Sequence, residues 1–298
     1  MTTSSKSTIF ELIADPKATQ TLPSLRIIVD ELAQMMGKTH TPIQAISGLI
    51  RRDQSMAVRI LRLANSAYFA PSQPILNIEE ALLYLGLNQI RSSILTARCI
   101  EQACTISDDL MSWKQFWNHS VATGCICRIL SAKLMDITEH AEAFYVMGLL
   151  HDIGKLVLAY LSPQDFEKVL SKAKQRQCDT SSVEFDLLGI DHASLGAWYL
   201  QQQGLPSSVF EPVRLHHSWQ VDSEKGLYAC LIALADQFAH ALRMGQSGSE
   251  YHPLPNPYHS PEWQFYAEHT LLGKGDALLN YVANELENLN LLVDQLVA

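Results

Sequence analysis

Seven residues in this 298-residue sequence are of types that can hold divalent metal ions and are spaced over successive helical segments: His119, His151, Asp152, His192, His216, His217 and Asp236. The sharpest signal is Gly148-Leu149-Leu150-His151-Asp152-Ile153-Gly154-Lys155, an adjacent His-Asp pair inside an otherwise apolar helical pattern. Burying such a pair without a partner is costly, and a divalent cation removes the cost. Imidazole nitrogen and carboxylate oxygen together suit iron, manganese, nickel or zinc. Each of the other residues taken alone is an ordinary core histidine with a hydrogen-bond partner, or an aspartate paired with a nearby base. Their number, one or two per successive helix, points instead to a shared site binding one or two divalent ions. Asp152 is placed to bridge two ions, with His119, His151 and Asp236 on one side and His192, His216 and His217 on the other. Lys155, one turn beyond Asp152, is the candidate to hold a phosphate oxygen as a point charge. Two such ions would activate water for in-line attack at phosphorus, with Asp152 and Lys155 as the catalytic pair. His40, His140, His240, His252, His259 and His269 lie in loops or beside polar residues and read as incidental.

The elements that must position these groups are helices. Leu25–Met36 carries apolar residues at helical spacing, and Thr41-Pro42 reads as a cap and first helical residue. Asn77 with Glu80 forms a capping box, and Gly86 closes that helix. Longer helical patterns cover 113–135 and 139–161, Ser162-Pro163 restarts a helix, and Asp191 caps another ending near Gly204. Gly226–Leu242 is strongly apolar, and Gly245–Pro261, rich in Gly, Ser and Pro, reads as an exposed loop. Asn65, a polar amide among Leu61, Leu63, Ala64 and Ala67, should be buried and pin the loop around Pro71–Pro74. Leu279, Val282, Leu286, Leu289, Val293 and Leu296 form a heptad-like stripe, which reads as a last helix packed on its own domain or as a homodimer seam. Almost no period-two alternation is present. The expectation is an all-α fold in two helical lobes, 1–107 as an orthogonal bundle and 108–298 carrying the site, with a soft seam at Ser107-Asp108-Asp109.

Composition narrows the function classes. The chain is 47% hydrophobic and 18% charged, the profile of a packed globular protein. A net charge of -9 repels long polyanions, so nucleic acid is not the expected partner. No leader-like apolar segment follows Met1, and no uninterrupted apolar run suggests a bilayer span. Cys99, Cys104, Cys125, Cys127, Cys178 and Cys230 show no CxxC pair and read as reduced core thiols of a cytoplasmic protein.

The order His119, His151-Asp152, Asp236 resembles the HD superfamily of metal-dependent phosphohydrolases, and the added His192 and His216-His217 resemble the longer ligand set of HD-GYP cyclic-dinucleotide phosphodiesterases. The Glu and Gly-Tyr-Pro that those enzymes place after the histidine pair are replaced here by Ser218-Trp219-Gln220-Val221-Asp222. The first half is more particular. Ile60-Leu61-Arg62-Leu63-Ala64-Asn65-Ser66-Ala67-Tyr68-Phe69, then Ala81-Leu82-Leu83-Tyr84-Leu85-Gly86, closely resembles the start of the HDOD (HD-related output) domain, and the similarity runs from about Leu22 to about Ala241. That resemblance implies a bacterial signal-transduction or regulatory module that engages a separate signalling protein. The intact ligand set implies the alternative, an active phosphohydrolase or phosphodiesterase taking a small phosphoester.

Overall fold

The computed structural model describes residues 5–20, 54–103, 110–134, 141–220, 222–248 and 257–269, together with Leu22, Ser47, Ile50, Asn284, Leu289, Leu292 and Val293. The Leu25–Met36 helix, the Thr41-Pro42 start, the Ser107–Asp109 seam, Cys104, His40, His140, His252 and most of the C-terminal stripe lie outside the described residues. Of that stripe Leu289 and Val293 are described, and both are buried.

The described residues are all-α. In chain order the helices are α1 (Ser5–Ala14), α2 (Pro16–Gln20), α3 (Gln54–Ala64), α4 (Ile78–Leu85), α5 (Leu87–Ala103), α6 (Trp113–Leu134), α7 (Ala141–Leu150), α8 (Ile153–Leu161), α9 (Pro163–Arg176), α10 (Thr180–Leu188), α11 (His192–Gln202), α12 (Ser207–Leu215), α13 (Glu224–Ala241) and α14 (Pro261–His269), with a 3-10 turn at Pro257–His259. The boundaries follow local chemistry. Asn77 Oδ1 accepts from the Glu80 amide at 2.8 Å and its Nδ2 donates back to Glu80 Oε2 at 3.3 Å, while Gly86 ends α4 at φ +78°. Asp191 Oδ1 caps α11 by accepting from the Ser194 amide at 2.8 Å. Pro163 opens α9 directly after Ser162.

The stretch expected as one helix over 139–161 is instead two. It breaks at His151-Asp152, a turn in which Asp152 adopts φ -96°, ψ 7° and leads into α8. The reason is positional: a continuous helix would send adjacent side chains about 100° apart, whereas the turn lets both face one point. The 21 residues Ala141–Leu161 match a bilayer span in length and mean hydropathy alone, but Glu142, His151, Asp152 and Lys155 interrupt the apolar run as expected, and the stretch is mostly buried within the protein. Their apolar all-round character belongs to a core helix pair.

Buried apolar residues form one contiguous cluster from Ile9 to Val293. Polar contacts cross from α5 to the later helices. Ser92 donates to Glu142, Thr96 bonds Tyr145, and Arg128 donates to Gln89 Oε1 at 3.1 Å. Asn65 does pin the chain: its Nδ2 donates to the Leu61 and Ile75 carbonyls at 2.8 and 2.7 Å, and its Oδ1 accepts from the Ile75 amide at 2.8 Å. It does so from an exposed position and not the buried one expected, with its bonds to the buried Ile75 partly covered.

Two helix crossings set the site, and both depend on glycine. On α7, a Cβ at Gly148 would lie 2.7 Å from Gly124 Cα and 2.8 Å from the Thr123 carbonyl oxygen of α6. On α8, a Cβ at Gly154 would lie 1.9 Å from the His192 carbonyl oxygen of α11. The first crossing brings His119 toward His151, and the second brings Asp152 toward His192.

Candidate metal centre

The structure brings all seven sequence-predicted ligands together, from three helices and two inter-helix turns. His119 is on α6, His151 and Asp152 are in the α7–α8 turn, His192 is the first residue of α11, His216 and His217 follow α12, and Asp236 is on α13. His119, His151, Asp152, His192 and His216 are buried, Asp236 is partly exposed and His217 is exposed.

The groups divide in two. In the first, Asp236 Oδ1 lies 2.8 Å from His119 Nε2 and 3.6 Å from His151 Nε2. In the second, His192 Nε2 lies 2.9 Å from His217 Nε2, with His216 beside them. Within each group the ligand atoms all lie within 4.8 Å of one another. Asp152 spans the division: Oδ2 is 3.4 Å from His151 Nε2, and Oδ1 is 3.0 Å from His192 Nε2. These spacings have a simple reading. Two atoms each about 2.0–2.1 Å from one ion are about 2.9 Å apart at a right angle and about 3.3 Å apart at the tetrahedral angle.

The far side of each ring fixes its tautomer. His151 Nδ1 faces the Gly148 carbonyl at 2.8 Å, and His216 Nδ1 faces the Val213 carbonyl at 2.6 Å. A carbonyl can only accept, so each Nδ1 carries the proton and each Nε2 presents a lone pair inward. His192 Nδ1 meets Glu184 Oε2 at 2.7 Å, and the same oxygen accepts from the His192 amide at 2.6 Å. Meanwhile His119 Nε2, His151 Nε2, His216 Nε2 and Asp236 Oδ1 are buried without a partner in hydrogen-bond geometry among the described residues. Orphaned lone pairs this close together are what a cation would satisfy. The donor set therefore fits a divalent ion.

Charges are arranged accordingly. Burial alone would raise the Asp152 carboxyl, but His151, Lys155 and His192 outweigh it and hold it well below the usual range. Asp236 is likewise held low against its burial by His240, His119 and His151. Burial and then the neighbouring imidazoles push His216 well below its ordinary value, which keeps it neutral and able to ligate. His192 moves the other way: burial would lower it, but Glu184 and Asp152 raise it.

Lys155 is buried, with Nζ donating to Asp152 Oδ2 at 2.8 Å and to Ser247 Oγ at 3.1 Å. Its ammonium neutralises Asp152 from within the protein. Ser247 is itself buried, so the 245–248 segment, expected as exposed loop, is docked on the site. Gly245 explains the docking: at φ +85°, a Cβ there would lie 2.4 Å from the His119 amide nitrogen.

Two participants escaped the sequence reading. His240, set aside as incidental, stacks on His119 with ring centroids 4.2 Å apart and places Nε2 3.3 Å from Asp236 Oδ1. Its signal was available, since His240 follows Asp236 by one helical turn. Glu184 had none, because only the chain's path brings it behind His192. A cavity of about 230 Å³ opens onto both groups, lined by His216, His217, Asp236, His240, Asp179 and Trp219 among others. Trp219 Nε1 donates to Glu262 Oε1 at 2.8 Å across its side.

Comparison with known proteins places the chain. A 1.90 Å crystal structure of an HDOD domain protein of unknown function from Geobacter sulfurreducens superposes with a TM-score of 0.80 at 20% identity, covering 97% of this chain and 98% of that one. A protein from Shewanella amazonensis SB2B, provisionally named a phosphohydrolase, gives a TM-score of 0.67 at 21% identity over 99% of each chain. At these identities the likeness is one of fold. An uncharacterized protein of Treponema pallidum (strain Nichols) is 25% identical over 197 residues, and the chain spans 38% of that relative's length. The HDOD domain family matches residues 22–219. This chain belongs to the HDOD family.

Proposed function

We propose that this chain is a bacterial signal-transduction protein of HDOD type, acting in the cytoplasm, whose helical scaffold holds one or two divalent metal ions. The observation that carries the metal reading is the set of fixed ring orientations: His151 and His216 are backed by carbonyls and His192 by Glu184, so three Nε2 atoms converge with Asp152 and Asp236. Iron, manganese, nickel and zinc all suit that donor set. When bound, the ions supply Lewis-acid stabilisation and water activation for phosphoester chemistry. Asp152 ties the two groups together, and Lys155 offsets its charge from behind. The signalling reading includes a separate protein partner, with the 1–107 lobe as a recognition surface beside the 108–298 lobe. It involves no nucleic acid and no membrane.

A second reading, hydrolysis of a small phosphoester, is favoured by the cavity on the ligand groups. Among the described residues no Lys or Arg lines it, so the ions and imidazoles would have to recognise phosphate. Metal analysis of protein purified without added metal tests the main proposal. One or two equivalents, lost in Asp152→Ala, are expected. Wild-type protein that takes up none of the four metals would refute it. For hydrolysis, turnover of a chromogenic phosphodiester by metal-loaded protein must exceed that of Asp152→Ala.

A further inference from the structure

The three inward-facing imidazoles with a fixed tautomer are not held alike. His151 and His216 rest on main-chain carbonyls, which are neutral dipoles. His192 rests on a carboxylate, and Glu184 is fully buried. A single oxygen, Oε2, accepts from both the amide and the ring of His192, so Glu184 fixes the first turn of α11 and the ring orientation together. Its other oxygen, Oε1, is buried with no hydrogen-bond partner among the described residues. A buried carboxylate left half satisfied is retained against a cost, unless its charge is used.

We propose that Glu184 is a positioning residue that makes the His192-His216-His217 half of the centre a stronger cation site than its hydrogen-bond geometry alone would make it. This rests on the metal reading above and goes further, because it assigns the two halves different dependence on an outer residue. A carboxylate behind an imidazole raises the basicity of the nitrogen facing the ion, whereas a carbonyl does so less. The first half, built on His119, His151 and Asp236, has no such group behind His151. Loss of the charge on Glu184 therefore weakens one half selectively.

Two substitutions separate geometry from charge. In Glu184→Gln the amide oxygen can occupy the Oε2 position and keep both bonds while the charge is lost, at the cost of an NH2 placed where Oε1 has no partner among the described residues. Glu184→Ala removes both bonds as well. Metal-stripped protein is titrated with Co²⁺, reading equivalents bound and the visible ligand-field spectrum, with helicity checked by circular dichroism. We expect about 10-fold weaker binding in Glu184→Gln and about 100-fold in Glu184→Ala, within the range seen for outer-shell partners. The weakened equivalent should be the one lost in His217→Ala and not the one lost in His119→Ala, with the matching part of the Co²⁺ spectrum shifted. Wild-type affinity in Glu184→Gln, equal weakening of every equivalent, or loss of helicity in Glu184→Gln would each overturn the assignment. Failure of the metal reading itself looks different, since the wild-type chain would then bind no Co²⁺.

Discussion

Replacing Gly154 by alanine should damage both the fold and the centre. The added Cβ would lie 1.9 Å from the His192 carbonyl oxygen, 2.7 Å from the Gly196 amide nitrogen and 2.8 Å from the His192 carbonyl carbon. All three obstacles are main chain, so no side chain can swing away. Relieving the worst contact to 3.0 Å requires α8 and α11 to separate by at least 3.0 - 1.9 = 1.1 Å. Gly154 is two residues from Asp152, and the obstructing carbonyl belongs to His192, so the separation falls on the 3.0 Å contact between them. Metal sites tolerate about 0.2 Å, so the shared cation position should be lost. Overpacking costs about 1–3 kcal/mol, and the rigid backbone on both sides puts this case near 3 kcal/mol. At about 2.1 cal/mol/K of unfolding entropy per residue over 298 residues, Tm should fall by about 5 °C. Scanning calorimetry of metal-stripped protein measures the packing cost, and metal content after dialysis measures the site. A Gly154→Ala protein with wild-type Tm and full metal content would show that the helices do not approach as described.

Lys155→Met should lower the stability of stripped protein by at most about 3–5 kcal/mol, because it removes one of the three bases that hold Asp152 ionised in the interior and leaves His151 and His192. The loss should be smaller in metal-loaded protein, and urea titration of both forms decides whether it is. Asn65→Ala should cost about 1–2 kcal/mol by releasing the Ile75 backbone, with metal content unchanged. Metal retention should fall as pH drops, because protons compete for imidazole lone pairs, and the His192 half, where Glu184 and Asp152 raise the proton affinity, should empty at higher pH than the other; equilibrium dialysis from about pH 7.5 to 5 follows it. Stripped protein should also lose stability toward acid. The folded values of Asp152 and Asp236 lie below the unfolded one, so their contribution is present above about pH 4 and lost as pH falls through the folded values. A denaturation midpoint unchanged between pH 5 and 3 would contradict that.

The sequence by itself determined the helical class, several helix ends among the described residues, and which seven side chains come together. Helical periodicity and caps such as Asn77–Glu80 and Asp191 are local, so they can be read residue by residue. The ligands were legible because a polar group in an apolar pattern has to be satisfied somewhere, and seven of them together required a common solution. What only the tertiary structure decided is how they meet. The break at His151-Asp152 is invisible to periodicity, since both sides of it are equally apolar. Lys155 reads as a group free to hold phosphate, yet Ser247, 92 residues away, completes its burial. Glu184 and His240 join the centre through contacts between elements and the stacking of two rings. Such contacts depend on how closely backbones approach, and glycines such as Gly148 and Gly154 reveal that approach only once the neighbouring helix is in place.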